Sequence, residues 1–142
     1  MGAIDQPIQI EENPLKTASL IARYLLALIF LVFGMNHYLN FIPMGAIPAG
    51  IAGQFLGAFI ASGYLYVVAF FEVASAILLL INRYVPLALV VLGPVIVNIC
   101  ITQILMTPST ILVGAVVAIL WCLAAWRVRS VFLPFLQQRV AD

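Results

Sequence analysis

The chain has 142 residues, 65% of them hydrophobic and only 8% charged, with a net charge of +1 and a mean hydropathy of +1.21. Soluble domains of ordinary composition are about 45–50% apolar and about 25% charged, so six cations and five anions cannot keep this surface in water, and lipid is the solvent for most of it. The scattered cations exclude a nucleic-acid-binding field, and the length allows a single domain over residues 1–142.

In chain order, residues 1–17 read as a tail carrying Asp5, Glu11 and Glu12. The tail lacks the basic n-region of a signal peptide, and the first apolar run starts too late for one, so that run is expected to act as the insertion signal. Four apolar runs predict transmembrane helices at about 18–36, 64–81, 84–106 and 109–126, each near the roughly 20 residues that cross about 30 Å of hydrocarbon. Helix is the assignment because an open strand leaves its backbone groups unbonded in lipid. Asn36 and His37, then Asn82 and Arg83, then Thr107, Pro108 and Ser109 mark the breaks. Pro86 falls in a first helical turn, where its missing N–H costs little. Residues 127–142 read as a second tail.

Between the first two spans, residues 37–63 carry no charge. Phe55, Leu56, Phe59 and Ile60 have helical spacing and Gly63 is a plausible stop. This predicts an interfacial or re-entrant helix in the first outer loop, acting as a lid or an anchor, with Tyr38, Phe41, Tyr64 and Tyr66 at the level of an aromatic belt. The spacing of Gly53 and Gly57 matches the small-residue packing motif. The expected fold is therefore an all-α integral membrane four-helix bundle. Lys16, Arg23, Arg83, Arg127, Arg129 and Arg139 all fall on one side of it, which the positive-inside rule makes cytoplasmic, together with both termini.

Polar residues within the spans are the candidates for function. Glu72 lies mid-span, about 15 Å from the Asn82 end at 1.5 Å per residue, and a carboxylate there should face the bundle interior and a partner. Asn98 lies about one helical turn further outward on the third span, with Thr102 on its face and Gln103 roughly 140° away serving another contact. Arg23, about 8 Å into the first span, reaches toward Glu72 or snorkels to the interface. It shares a stripe with Ala27, Phe30, Gly34 and His37. Asn98 and Thr102 equally suit interhelical hydrogen bonding, and His37 suits an interfacial bond. Pro94 removes the N–H that would bond to the Val90 carbonyl and should kink the helix one turn before Asn98.

Other chemistries lack their residues. One histidine cannot supply two axial imidazoles to a haem. Cys100 and Cys122 differ in depth by more than about 10 Å on the helical rise, whereas a disulfide needs Cα atoms about 4.4–6.8 Å apart. No metal-ligand cluster, phosphate loop or Ser-His-Asp set is present in the sequence. Redox chemistry would need an outside cofactor or a partner subunit.

The segments RYLLALIFLVFG at 23–34, NH at 36–37, FIP at 41–43, SGYLY at 62–66 with Glu72, LINRYVPLAL at 80–89 and PVIVN at 94–98 resemble DoxX-like membrane proteins over most of residues 20–130. The resemblance implies a four-helix bundle in a bacterial inner membrane and a role as a small subunit of a membrane oxidoreductase, the family taking its name from a thiosulfate–quinone oxidoreductase. The matching positions are Arg23, Gly34, Glu72 and Asn98. Relatives with thiol–redox roles use cysteine pairs that this chain lacks.

Two functions follow as expectations. In the first, Glu72, Asn98 and Arg23, with His37, Asn36 and Thr102, bind a head group such as that of a quinone or relay a proton, within a redox complex or homo-oligomer. In the second, a non-enzymatic binding or assembly protein, Arg23 and Glu72 form a structural pair. An oligomeric small-solute transporter is a third reading.

Overall fold

The computed structural model describes residues 13–43 and 45–136. The ends of both expected tails, with Asp5, Glu11, Glu12 and Arg139, lie outside the described residues. Helix α1 spans Pro14–Leu39, α2 Ile51–Ala61, α3 Tyr64–Leu80, α4 Val85–Leu105, α5 Ile111–Arg127 and α6 Arg129–Phe132. Three-residue and four-residue 3-10 turns at Pro108–Thr110 and Leu133–Leu136 complete the described chain.

Helix α1 is longer than the first apolar run at both ends. Asn13 caps it, accepting from the Leu15 N–H at 3.1 Å, and Pro14 takes the first position, where its fixed φ suits a helix start. Asn40 ends it in the left-handed region at φ 50°, a conformation asparagine tolerates better than most side chains. At 26 residues the helix is about 39 Å long, so its ends reach past the hydrocarbon. Helix α3, at 17 residues, sits at the short limit for a span. Gly63, at φ 74°, separates it from α2, and the two helices meet at 79°. Three helices are long and apolar enough to cross a membrane, or up to four if the bent α2–α3 pair is one span.

The spans form a ring. Helix α1 packs on α3 and α5, and α4 packs on the same two, which leaves α1 and α4 diagonal. Alanines 22, 27, 69, 76, 88 and 124 are buried in the contacts and let the backbones approach, as helix packing in lipid requires. Leu26, Leu79, Leu89 and Leu92 are the largest fully buried side chains. The outside is apolar too. Leu112 is 74% exposed, Leu105 70% and Phe70 61%, a surface no soluble monomer would present to water. The chain is a small membrane protein.

Helix α4 runs unbroken through Pro94. It is tied to α5 by three bonds that cross between helices, the weakest from the Cys100 thiol to the Gly114 carbonyl at 3.6 Å. Trp121 Nε1 donates to the Leu89 carbonyl at 2.9 Å, and the Gly114 N–H donates to Gln103 Oε1 at 2.9 Å. A Cβ at Gly114 would lie 2.2 Å from that oxygen, so glycine is what admits the Gln103 side chain. Gln103 thus serves a contact away from the face of Asn98, as its position on the helix predicts. Gly114→Ala is expected to push Gln103 away and cost about 0.5–1.5 kcal/mol, read as unfolding in detergent. Adding Gln103→Ala to Gly114→Ala should cost little more, whereas additive losses would show that the two residues do not act together.

Candidate functional site

The close-packed core gives way at Phe30 and Val117, which belong both to the core and to the wall of a cavity of about 670 Å³. That volume lies within the range of about 300–1,000 Å³ typical of ligand sites. All four spans contribute to it. Ile29, Phe30 and Phe33 come from α1, Leu65 and Val68 from α3, Val95 and Ile99 from α4, and Val113 and Val117 from α5. Helix α2 adds Phe55 and Phe59, whose rings stack at 5.7 Å, and the Phe59 ring meets Tyr64 edge-on at 5.1 Å. The steep turn at Gly63 is what brings this aromatic pair over the cavity. The helix predicted in the first outer loop is therefore a wall of the site.

Three polar side chains interrupt the apolar lining: His37, Glu72 and Asn98. Glu72 is 7% exposed, and its Oε2 is buried with no hydrogen-bond partner among the described residues. Buried polar atoms are bonded in the great majority of cases, because an unpaired one costs free energy wherever water is excluded. Its place is set by Gly34. A Cβ at Gly34 would lie 2.8 Å from Val73 Cγ2 and 3.3 Å from Glu72 Cβ, so the bare glycine lets α1 press against the turn of α3 that carries the carboxylate. His37 follows Gly34 by three residues and lines the same cavity. Pro94, one turn before Asn98 on α4, lines it as well.

The other candidate residues lie elsewhere. Arg23 is 6% exposed and buried on the helix stripe with Ala27, Phe30 and Gly34, but it does not reach Glu72. Its Nη1 donates to Asn82 Oδ1 in the α3–α4 turn, and its guanidinium lies over the Tyr24 ring, 4.6 Å from the centroid. No ion pair joins Arg23 to Glu72, so the structural pair does not describe it; the guanidinium reaches toward the α3–α4 turn at the end of the spans instead. Asn82 holds the left-handed region at φ 56° and so presents its amide to α1 from the turn itself. Asn36 accepts from the Ile42 N–H at 2.6 Å and donates to the Ile42 carbonyl at 3.2 Å, which pins the start of the outer loop. Thr102 donates to the Asn98 carbonyl of its own helix at 2.8 Å. The Arg23, Asn36 and Thr102 side chains are not among the cavity walls. Cys100 and Cys122 are free thiols, and among the described residues no three His, Cys, Asp or Glu side chains gather as a metal site requires.

Fold and cavity together define a small all-α membrane protein with a carboxylate-bearing cavity inside its bundle. No protein-family model, curated protein or solved structure matches this chain.

Two substitutions separate the roles of the buried charges. Asn82→Gly keeps the left-handed turn and removes only the bond to Arg23, and it should lower stability in detergent by about 1.5–3 kcal/mol, the range for a hydrogen bond to a charged group. The exchange of Arg23→Glu with Glu72→Arg should not restore expression lost in either single variant. Recovery in the exchange would mean that the two charges do pair.

Proposed function

We propose that this protein binds the polar head group of a quinone-class lipid in the cavity between its spans, as a small subunit of a redox-linked membrane complex. The observation that carries the reading is the Glu72 carboxyl, buried and unbonded at Oε2, on a cavity whose walls are aliphatic and aromatic apart from His37 and Asn98. A quinone head group offers two carbonyl acceptors, and its quinol form offers two hydroxyl donors. Glu72, Asn98 and His37 supply both complementary kinds of group. The apolar lining suits the ring and the first tail units, and Phe55, Phe59 and Tyr64 suit stacking on the ring.

Reduction of a quinone to the quinol consumes two electrons and two protons. In this reading the electrons come from a partner redox subunit, and Glu72 with His37 passes the protons. The resemblance of residues 23–34, 62–66 and 80–98 to DoxX-like proteins supports the redox association and a place in a bacterial inner membrane. The grouping of the cations at one end of the bundle supports cytoplasmic termini. The apolar walls disfavour passage of a small polar solute, and the separation of Arg23 from Glu72 weighs against a purely structural pair.

The test is mass spectrometry of the protein purified gently from its own membrane, with extracted lipids and co-purifying subunits measured together. Quinone near one equivalent per chain is expected, falling about tenfold or more in Glu72→Gln, the order set by losing a hydrogen bond to a charged group. Wild-type protein without quinone, or a variant that retains it fully, would refute the proposal.

A further inference from the structure

A second site lies at the opposite end of the molecule from α2. There the start of α1 meets the end of α5 in a pocket of about 460 Å³ that contains Lys16, Arg127 and Arg129. The fold aims these cations. Arg127 Nη1 donates to the Lys16 carbonyl at 3.5 Å, which holds the last turn of α5 against the first turn of α1. Arg129 Nη1 donates to the Trp126 carbonyl at 3.2 Å, and its guanidinium lies over the Trp126 ring, 4.7 Å from the centroid. The first turn of α1 borders the same pocket; its N–H groups are taken by the Asn13 side chain and carbonyl, so what it adds there is the positive end of the helix dipole. Among the described residues the one carboxylate is Glu72, in the other cavity. The rim is apolar as well as basic. Leu15 and Trp126 also line the pocket, each 55% exposed, and the lipid-facing surfaces of α1 and α5 continue away from it.

We infer that this pocket is a binding site for the phosphate of an anionic phospholipid. Charge alone would suit any phosphate. The commitment to a lipid rests on position, because the cations sit where two membrane-spanning helices end. An acyl chain leaving the headgroup would run along the exposed α1 and α5 surface, and Trp126 has the amphipathic ring favoured at that depth. Two guanidiniums recognise phosphate oxygens by forked hydrogen bonds, and Lys16 adds a point charge. The site is independent of the quinone reading, since it shares no residue with the Glu72 cavity.

Native mass spectrometry of the detergent-purified protein tests it, with phosphatidylglycerol and phosphatidylcholine supplied in equal amounts. The wild type should retain phosphatidylglycerol preferentially. The double variant Arg127→Gln with Arg129→Gln should lose about tenfold of that preference, the order expected for two cations at an anionic surface. Arg127→Lys with Arg129→Lys keeps the charge and should keep most of the binding, which separates loss of the site from loss of the fold. Arg83→Gln, a cation of the α3–α4 turn outside the pocket, should change nothing. Equal retention of both lipids, or an equal loss in Arg83→Gln, would overturn the inference. So would preference for inorganic phosphate over the lipid, or an anionic preference that emerges only after Glu11→Gln and Glu12→Gln.

Discussion

In hydrocarbon a polar group has only the protein to bond to. Several polar side chains of the described spans meet this constraint. Gln103 is bonded to the Gly114 amide, Trp121 to the Leu89 carbonyl, Thr102 to the Asn98 carbonyl, and Arg23 to Asn82 across 59 residues of sequence. All but the Thr102 bond, which stays within its own helix, also fix something larger: α5 on α4, or α1 on the α3–α4 turn. Against that background two buried side-chain atoms are unbonded among the described residues, Arg23 Nε and Glu72 Oε2, and of these two residues only Glu72 lines the cavity between the spans. A polar group brought into that cavity is what could complete the Glu72 carboxyl.

Close approach of backbones explains why one part of the bundle is solid and another hollow. Alanines and leucines pack the region from Leu26 and Leu79 to Leu92 without leaving room for a ligand. Toward α2 the lining changes to large rings at Phe30, Phe33, Phe55 and Phe59, which wall a space rather than fill it. Gly34 works at the boundary, holding α1 against the Glu72 turn. Gly53 performs the same service within the loop. A Cβ there would lie 2.0 Å from the Pro48 carbonyl oxygen, so this glycine of the small-residue motif serves a backbone contact beside its own helix, while Gly57 has open space around it.

Much of this was legible in the residues. The apolar runs, the Asn82 and Arg83 break, the Gly63 boundary and the amphipathic run at Phe55 and Phe59 locate the helices to within a few residues. Helix α1 outran its apolar core because Asn13 and Pro14 form a start signal in polar sequence, where hydropathy is blind. The cavity walls were harder to read, since interior and lipid-facing positions are both apolar and helical periodicity loses its contrast. Arg23 illustrates a further limit. Its depth suggested a partner in the membrane or at the interface, but the partner is a turn asparagine whose orientation depends on a left-handed backbone. Asn36 and Thr102 satisfy neighbouring backbone groups, the habit of short polar side chains, and no spacing rule separates that from ligand binding.

Reaction with an apolar carbodiimide tests the central claim most directly, because such a reagent reaches carboxyl groups through hydrophobic cavities. In membranes containing the protein, adduct formation at Glu72 should be found by peptide mass spectrometry and suppressed by a short-tailed quinone but not by an alkane of equal length. An unreactive Glu72 would contradict the open cavity, and labelling untouched by the quinone would contradict the proposed occupant.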